Sequence, residues 1–306
     1  MKWISGCERG VACEKAIRIV CHDGNVAYLF GALHVGQAHW FPLSDLVEDA
    51  IRRANVVVME IAEPAGDPEV MAEIRSEIRY LPDGQTLEEF LPEAYYRHLA
   101  DMVAVWEACY DTVNTWRPSY LIGFLEFWLD DVLSVTDVGL ETSVDGHIIS
   151  VAKETGLPII GLESMAQQLN ILFNLPEDAV LAQIRNLEPP LVTLETRANL
   201  GLLSLDEMAY AYERNDFTSL HNNTALSASI DHYCPSTRYF FDTVVRARTI
   251  YYANEIERLL RETEEPTTFF VSVGLGHIIN SGAGEQFTDI VELLRLNGFY
   301  VEPLWR

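Results

Sequence analysis

Two short segments, Gly31-Ala32-Leu33-His34 and Gly274-Leu275-Gly276-His277, constrain this chain more than any other feature. Each is a Gly-x-x-His that closes an apolar run, and the two lie almost the whole chain apart. The first follows Val26-Ala27-Tyr28-Leu29-Phe30 and the second Thr268-Phe269-Phe270-Val271-Ser272-Val273, runs of strand length rich in β-branched and aromatic residues. A glycine at a strand end lets the backbone turn tightly and lets a ligand approach. Two histidines so placed point to one shared site.

The residues after each histidine are also alike. Residues 45–53 and 289–295 have the apolar spacing of short amphipathic helices, and each meets another strand-like run, at 56–61 and 299–302. Glu60 lies 26 residues after His34, and Glu302 lies 25 after His277. The unit strand, Gly-x-x-His, helix, strand, Glu therefore occurs twice, a weak internal repeat suited to two halves of one sheet. Between them the pattern is helical, at 87–106, 120–135 with a break marked by Pro118, 145–155, 177–213 and 242–263. A turn at 156–158 leads into a short buried strand at 159–163, and Ser164 is placed to cap the next helix. The expected fold is α/β: a central mixed sheet built from the two halves, with a helical insertion at about 65–260, all in one domain over 1–306.

Composition limits what such a site serves. At 306 residues and 49% hydrophobic the chain can bury a full core. Against 46 acidic residues stand 21 basic ones, a formal charge of −25. Nucleic acid and anionic membrane surfaces need clustered Lys and Arg, so neither is an expected partner, whereas a cation or a cationic peptide is electrostatically welcome. The five cysteines lack Cys-x-x-Cys spacing, which argues against a zinc knuckle; Cys7 and Cys13 would pair only in an oxidising compartment. The first residues have no apolar leader pattern, and no apolar run reaches spanning length, so the expectation is a cytoplasmic protein with reduced thiols.

In open α/β sheets ligands sit outside the carboxyl ends of the strands. His34, Glu60, Glu163 and His277 all end predicted strands. Imidazole and carboxylate together suit zinc, manganese, iron or cobalt, and such an ion acidifies bound water and polarises a carbonyl, the chemistry of hydrolysis. A spare carboxylate can act as general base and an arginine can steady an oxyanion. Glu60, after four apolar residues, is costly to bury unless paired. Glu163 either caps its own turn or pairs with Arg248, which is itself either a site residue or a solvated helix charge. The other six histidines, His147 among them, are expected to be structural or at the surface.

These residues resemble the TraB/GumN family, which also contains the Tiki peptidases and is distantly similar to erythromycin esterase and ChaN-like proteins. The resemblance runs through nearly the whole chain: Tyr28 to Val35 with the first Gly-x-x-His, Glu60, the block from Val144-Asp145 to Leu162-Glu163-Ser164, Arg246-Ala247-Arg248-Thr249, and Val273 to His277. It departs from the family pattern at Ala32-Leu33, where Thr-Ile or Thr-Met is usual, at Ser143, where glycine is common, and at Thr249, where asparagine is usual. The resemblance implies an active site at His34, His277, Glu60 and Arg248, and a divalent metal such as manganese or cobalt. Together, the residues and the resemblance lead to the expectation of a metal-dependent hydrolase of a peptide or amide bond. His34 and His277 would be metal ligands, Glu60 a third ligand or base, and Arg248 and Glu163 further catalytic groups. Two alternatives are a metal-independent esterase-like hydrolase and a protein that binds a peptide, metal or haem without turnover.

Overall fold

The computed structural model describes residues 17–62, 68–105, 110–133, 143–229, 234–279 and 288–303. Cys7, Cys13 and Cys109 lie outside them, and with them the pairing considered for Cys7; Cys21 and Cys234 are free thiols. Six strands form one mixed sheet: β1 (Ile17–His22), β2 (Asn25–Ala32), β3 (Val56–Met59), β4 (Ile159–Gly161), β5 (Thr268–Gly274) and β6 (Tyr300–Pro303), in the order β4-β3-β5-β2-β1-β6. β4, β3, β5 and β2 run parallel, and β1 is antiparallel to both β2 and β6. The α/β expectation is met.

Both faces of the sheet are covered, which is why β2 and β5 read as nearly continuous apolar runs. On one face Phe30, Val57, Met59 and Phe270 pack with Val47 and Ile51 of helix Asp45–Arg53 and with Ile148 and Val151 of helix Val144–Thr155. On the other, Leu29, Val58, Phe269 and Val271 meet Tyr252 and Ile256 of helix Arg248–Glu262 and Leu294 of helix Ile290–Leu296. A separate apolar cluster sits in the helical middle, around Leu99, Trp116 and Leu121.

Several boundaries differ from the sequence expectation. β1 was not foreseen, although Asp23-Gly24 signals a tight hairpin; φ is +44° and +93° there, so β1 and β2 are joined by two left-handed residues. Pro92 splits the helix expected from residue 87 into Leu87–Phe90 and Glu93–Val105. β4 is shorter than expected and lies on the sheet edge rather than buried, with Ile160 exposed. The helix expected over 242–263 is π-helical from Phe240 to Ala247 before the α-helix starts at Arg248. The repeat ends asymmetrically, because β3 joins β5 in parallel while β6 pairs antiparallel with β1 at the far edge. Glu302 accordingly faces solvent, beside the Tyr300 hydroxyl.

Glu48 is a charge inside this packing, only 3% exposed. Its Oε1 accepts the Leu43 N–H at 3.0 Å and pairs with His147 Nε2 at 2.6 Å, while Oε2 accepts from Arg52 at 3.0 Å. Burial alone would raise its pKa; the His147 hydrogen bond and charge, the Leu43 N–H and Arg52 outweigh that and hold it below the usual carboxylate range. A carboxylate depressed in the folded state stabilises above its unfolded pKa and loses that contribution as pH falls through the folded value. Glu48→Gln should therefore cost about 1–3 kcal/mol in urea unfolding at neutral pH, with the gap to wild type narrowing as pH falls below about 4. A gap that does not narrow would assign the loss to packing instead of charge.

Candidate functional site

The four parallel strands end at one level: Ala32 pairs with Gly274, and Met59 with both Ser272 and Gly161. His34, His277, Glu60 and Glu163 each follow one of these ends within three residues, so the register assembles them. A methyl group placed on Gly274 would lie 2.9 Å from His34 Nε2, 3.2 Å from Glu60 Oε1 and 3.6 Å from His277 Cδ2. The three groups thus border a single small space, open because residue 274 has no side chain.

Glu60 is buried, and both of its oxygens are engaged. Oε1 accepts the Gly274 N–H at 2.7 Å and stands 3.8 Å from His277 Nε2; Oε2 accepts from Arg248 Nη2 at 2.7 Å and from Gln168 at 3.3 Å. Burial opposes its charge, but the charges of His34 and Arg248 and the Gly274 N–H prevail and lower its pKa, so it stays ionised. Arg248 is 7% exposed and spends its donors on protein: Nη2 also reaches Glu163 Oε1 at 2.5 Å and the Tyr252 hydroxyl at 2.6 Å, Nε reaches Glu163 Oε2 at 3.3 Å, and Nη1 reaches the Val244 carbonyl at 3.4 Å. The Tyr252 hydroxyl donates to Glu163 Oε1 at 2.7 Å. Glu163 therefore pairs with Arg248, and Arg248 is not a solvated helix charge.

The two histidines are held differently. His277 is buried, and its Nδ1 lies 2.7 Å from Thr249 Oγ1. That hydroxyl already donates its proton to the Val245 carbonyl at 2.8 Å, so it accepts from Nδ1–H and leaves the Nε2 lone pair of His277 facing Glu60. Burial lowers the His277 pKa to about 4, which keeps the ring neutral at physiological pH. His34 sits at the rim with 56% of its side chain exposed, and Nδ1 pairs with Asp145 Oδ2 at 2.9 Å. Desolvation opposes its charge; the Asp145 hydrogen bond and charge, with the charge of Glu60, outweigh that and raise its pKa to about 9. Both rings thus make a hydrogen bond through Nδ1; His34 turns Nε2 to the common space, and His277 turns its Cδ2 edge there with Nε2 toward Glu60.

Sequence reasoning found His34, Glu60, Glu163, Arg248 and His277, and the structure brings all five together. It missed Asp145, Gln168, Thr249 and Tyr252 as site residues. Asp145 and Thr249 were visible only as members of family-like blocks, and no spacing rule shows which ring each would meet. The π-helical turn before Arg248 had no sequence signal; its extra residue per turn sets the facing of Arg248 and Thr249, and such turns recur at functional sites.

Among the described residues, no three His, Cys, Asp or Glu side chains are grouped tightly enough to hold a metal ion as they stand. In kind the residues do fit one: the His34 Nε2, a Glu60 carboxylate oxygen and the edge of the His277 ring border the space. Each ring also has the outer partner on Nδ1 that metal-binding histidines regularly keep.

A mixed sheet that aims two histidines and a buried carboxylate from its parallel strand ends defines an α/β protein with a polar strand-end site. The family model for the TraB/PrgY/gumN family matches residues 16–303, and the chain belongs to that family. It is similar to the uncharacterized protein YbaP of Shigella flexneri and to that of Escherichia coli strain K12. Each is 20% identical over 272 residues, covering 87% of this chain and 89% of the relative. No solved structure matches the chain. No helix among the described residues is long and apolar enough to cross a membrane.

Proposed function

We propose that the strand-end site is that of a divalent-metal-dependent hydrolase acting on a peptide or amide bond. The observation that carries this reading is the convergence of His34 Nε2, Glu60 Oε1 and the His277 ring on the space beside Gly274. His34, His277 and Glu60 would hold the ion, which would supply an acidified water and a polarised carbonyl. Manganese, cobalt, zinc and iron all suit this donor set. His277 is pre-set to offer Nε2, because Thr249 keeps its proton on Nδ1. His34 must shed its Nε2 proton for loading, with Asp145 retaining the Nδ1–H.

Glu60 suits the role of ligand better than that of general base, since its lowered pKa makes it a weak proton acceptor. Arg248 then acts by holding Glu60 and Glu163, having few donors left to meet a substrate oxyanion. A peptide or small molecule reaching the exposed His34 edge would meet an acidic chain, which favours a cationic segment.

Elemental analysis of wild type and of the His34→Ala, His277→Ala double variant tests the reading. Near-stoichiometric metal in wild type alone, with amide hydrolysis lost in the variant, is the expected result. Hydrolysis that survives chelation would favour the metal-independent esterase-like alternative, and a bound peptide recovered intact would favour binding without turnover.

A further inference from the structure

Among the described residues, the helix Val144–Thr155 has two side-chain polar contacts to the rest of the fold in its first turn. Asp145 meets His34 Nδ1 at 2.9 Å, and His147 Nε2 meets Glu48 Oε1 at 2.6 Å. Two residues on a helix are about 200° apart around its axis, so the contacts grip the turn from nearly opposite sides. One contact alone would leave the turn free to roll and carry Asp145 away from His34. The apolar face of Val144, Ile148 and Val151 resists translation but fixes roll less sharply than directional bonds do. Ser143 Oγ accepts the Gly146 N–H at 3.1 Å and closes the turn itself, without tying it to its surroundings.

The same Glu48 oxygen accepts the N–H of Leu43, in the loop that leaves His34 and returns to helix Asp45–Arg53. Phe41 of that loop stacks on the His147 ring at 4.7 Å. One buried carboxylate therefore refers both partners, the loop that carries His34 and the helix that carries Asp145, to a common point. We propose that Glu48 and His147 are positioning residues that set the Asp145–His34 hydrogen bond and so the direction of His34 Nε2. His147 then has a role in the site although it touches none of the groups bordering the space. The proposal rests on His34 being a working group of the strand-end site.

The test uses the full chain with 15N-labelled histidine and reads the His34 Nδ1–H signal alongside turnover or metal affinity. Wild type should give resolved His34 ring-nitrogen shifts that mark a hydrogen-bonded Nδ1–H, detected through the carbon-bound ring protons because the side chain is half exposed. His147→Ala should move or broaden them and lower turnover or affinity on the order of 10-fold, as loss of outer partners does. His147→Gln, whose amide nitrogen can reach Glu48, should restore both. His39→Ala removes a pair on the same loop, His39 with Glu213 at 3.0 Å, and should change neither. A folded His147→Ala protein with an unmoved His34 signal overturns the proposal. Should His147→Ala fail to fold, Glu48→Gln carries the decision, because it weakens the point without emptying it: a shifted signal supports the proposal and an unmoved one overturns it. If wild type hydrolyses nothing, the proposed function fails while the His34 signal still decides this inference.

Discussion

If the strand-end site holds a metal and hydrolyses amides as proposed, Gly274→Ala should abolish metal uptake and lower hydrolysis by about 100-fold or more, while leaving the protein folded. The added methyl would sit 2.9 Å from His34 Nε2, closer than real side-chain contacts allow, and 3.2 Å from Glu60 Oε1, which would have to give by a few tenths of an ångström. His34 is the partner free to yield, being exposed at the rim, so the ring would swing out of the space. A displacement of an ångström in a reacting group is enough for a loss of this size. The backbone itself tolerates the change, since φ −52° and ψ 135° are open to alanine. Circular dichroism melts with metal content and rate on the same sample check both halves. Full activity in a folded variant would mean that the space beside Gly274 is not where the chemistry happens.

Arg248→Met should destabilise the fold by about 3–5 kcal/mol at neutral pH, the cost of stranding buried carboxylates without their cation. Glu60 and Glu163 both lose the guanidinium they share; Glu60 keeps the Gly274 N–H, Gln168 and the charge of His34, and Glu163 keeps Gln168 and the Tyr252 hydroxyl. The Glu60 pKa, held down in part by Arg248, then rises, so the deficit should shrink as the solution is acidified toward about pH 4.5. Denaturant unfolding at the two pH values measures it. Adding Glu60→Gln and Glu163→Gln to Arg248→Met should recover part of the loss, because a neutral cluster no longer carries the uncompensated charge. Equal stability of wild type and Arg248→Met at neutral pH would contradict the buried ion cluster.

The legible part of this protein was its strand ends. Apolar runs closed by glycine placed β2 and β5, and the ionisable residues just beyond the runs gave His34, His277, Glu60 and Glu163. Pairing order was not legible, because apolar alternation says which face a residue takes and not which neighbour it meets. The insertion of β5 between β2 and β3 depends on contacts between distant parts of the chain. β1 was missed although Asp23-Gly24 announces a hairpin, since its Arg18, Cys21 and His22 interrupt the apolar run. Asp145 and Thr249 were illegible as partners of the histidines for the same reason as strand order: each works through one hydrogen bond made across the fold. Arg248 was ambiguous because helical spacing cannot tell a buried arginine from a surface one until the carboxylates opposite it are known.

The strand order also bears on how the protein comes into being. During synthesis β2 and β3 emerge early, yet the slot between them belongs to β5, which begins only at Thr268. Until that late strand arrives, the inner edges of β2 and β3 have no partner, and Glu60 lacks the Gly274 N–H and His277. Unpaired apolar strand edges of this kind are open to misassociation. β5, the last strand but one to be made, both joins β2 to β3 and completes the site, so a chain that stalls before it has neither a joined sheet nor a site.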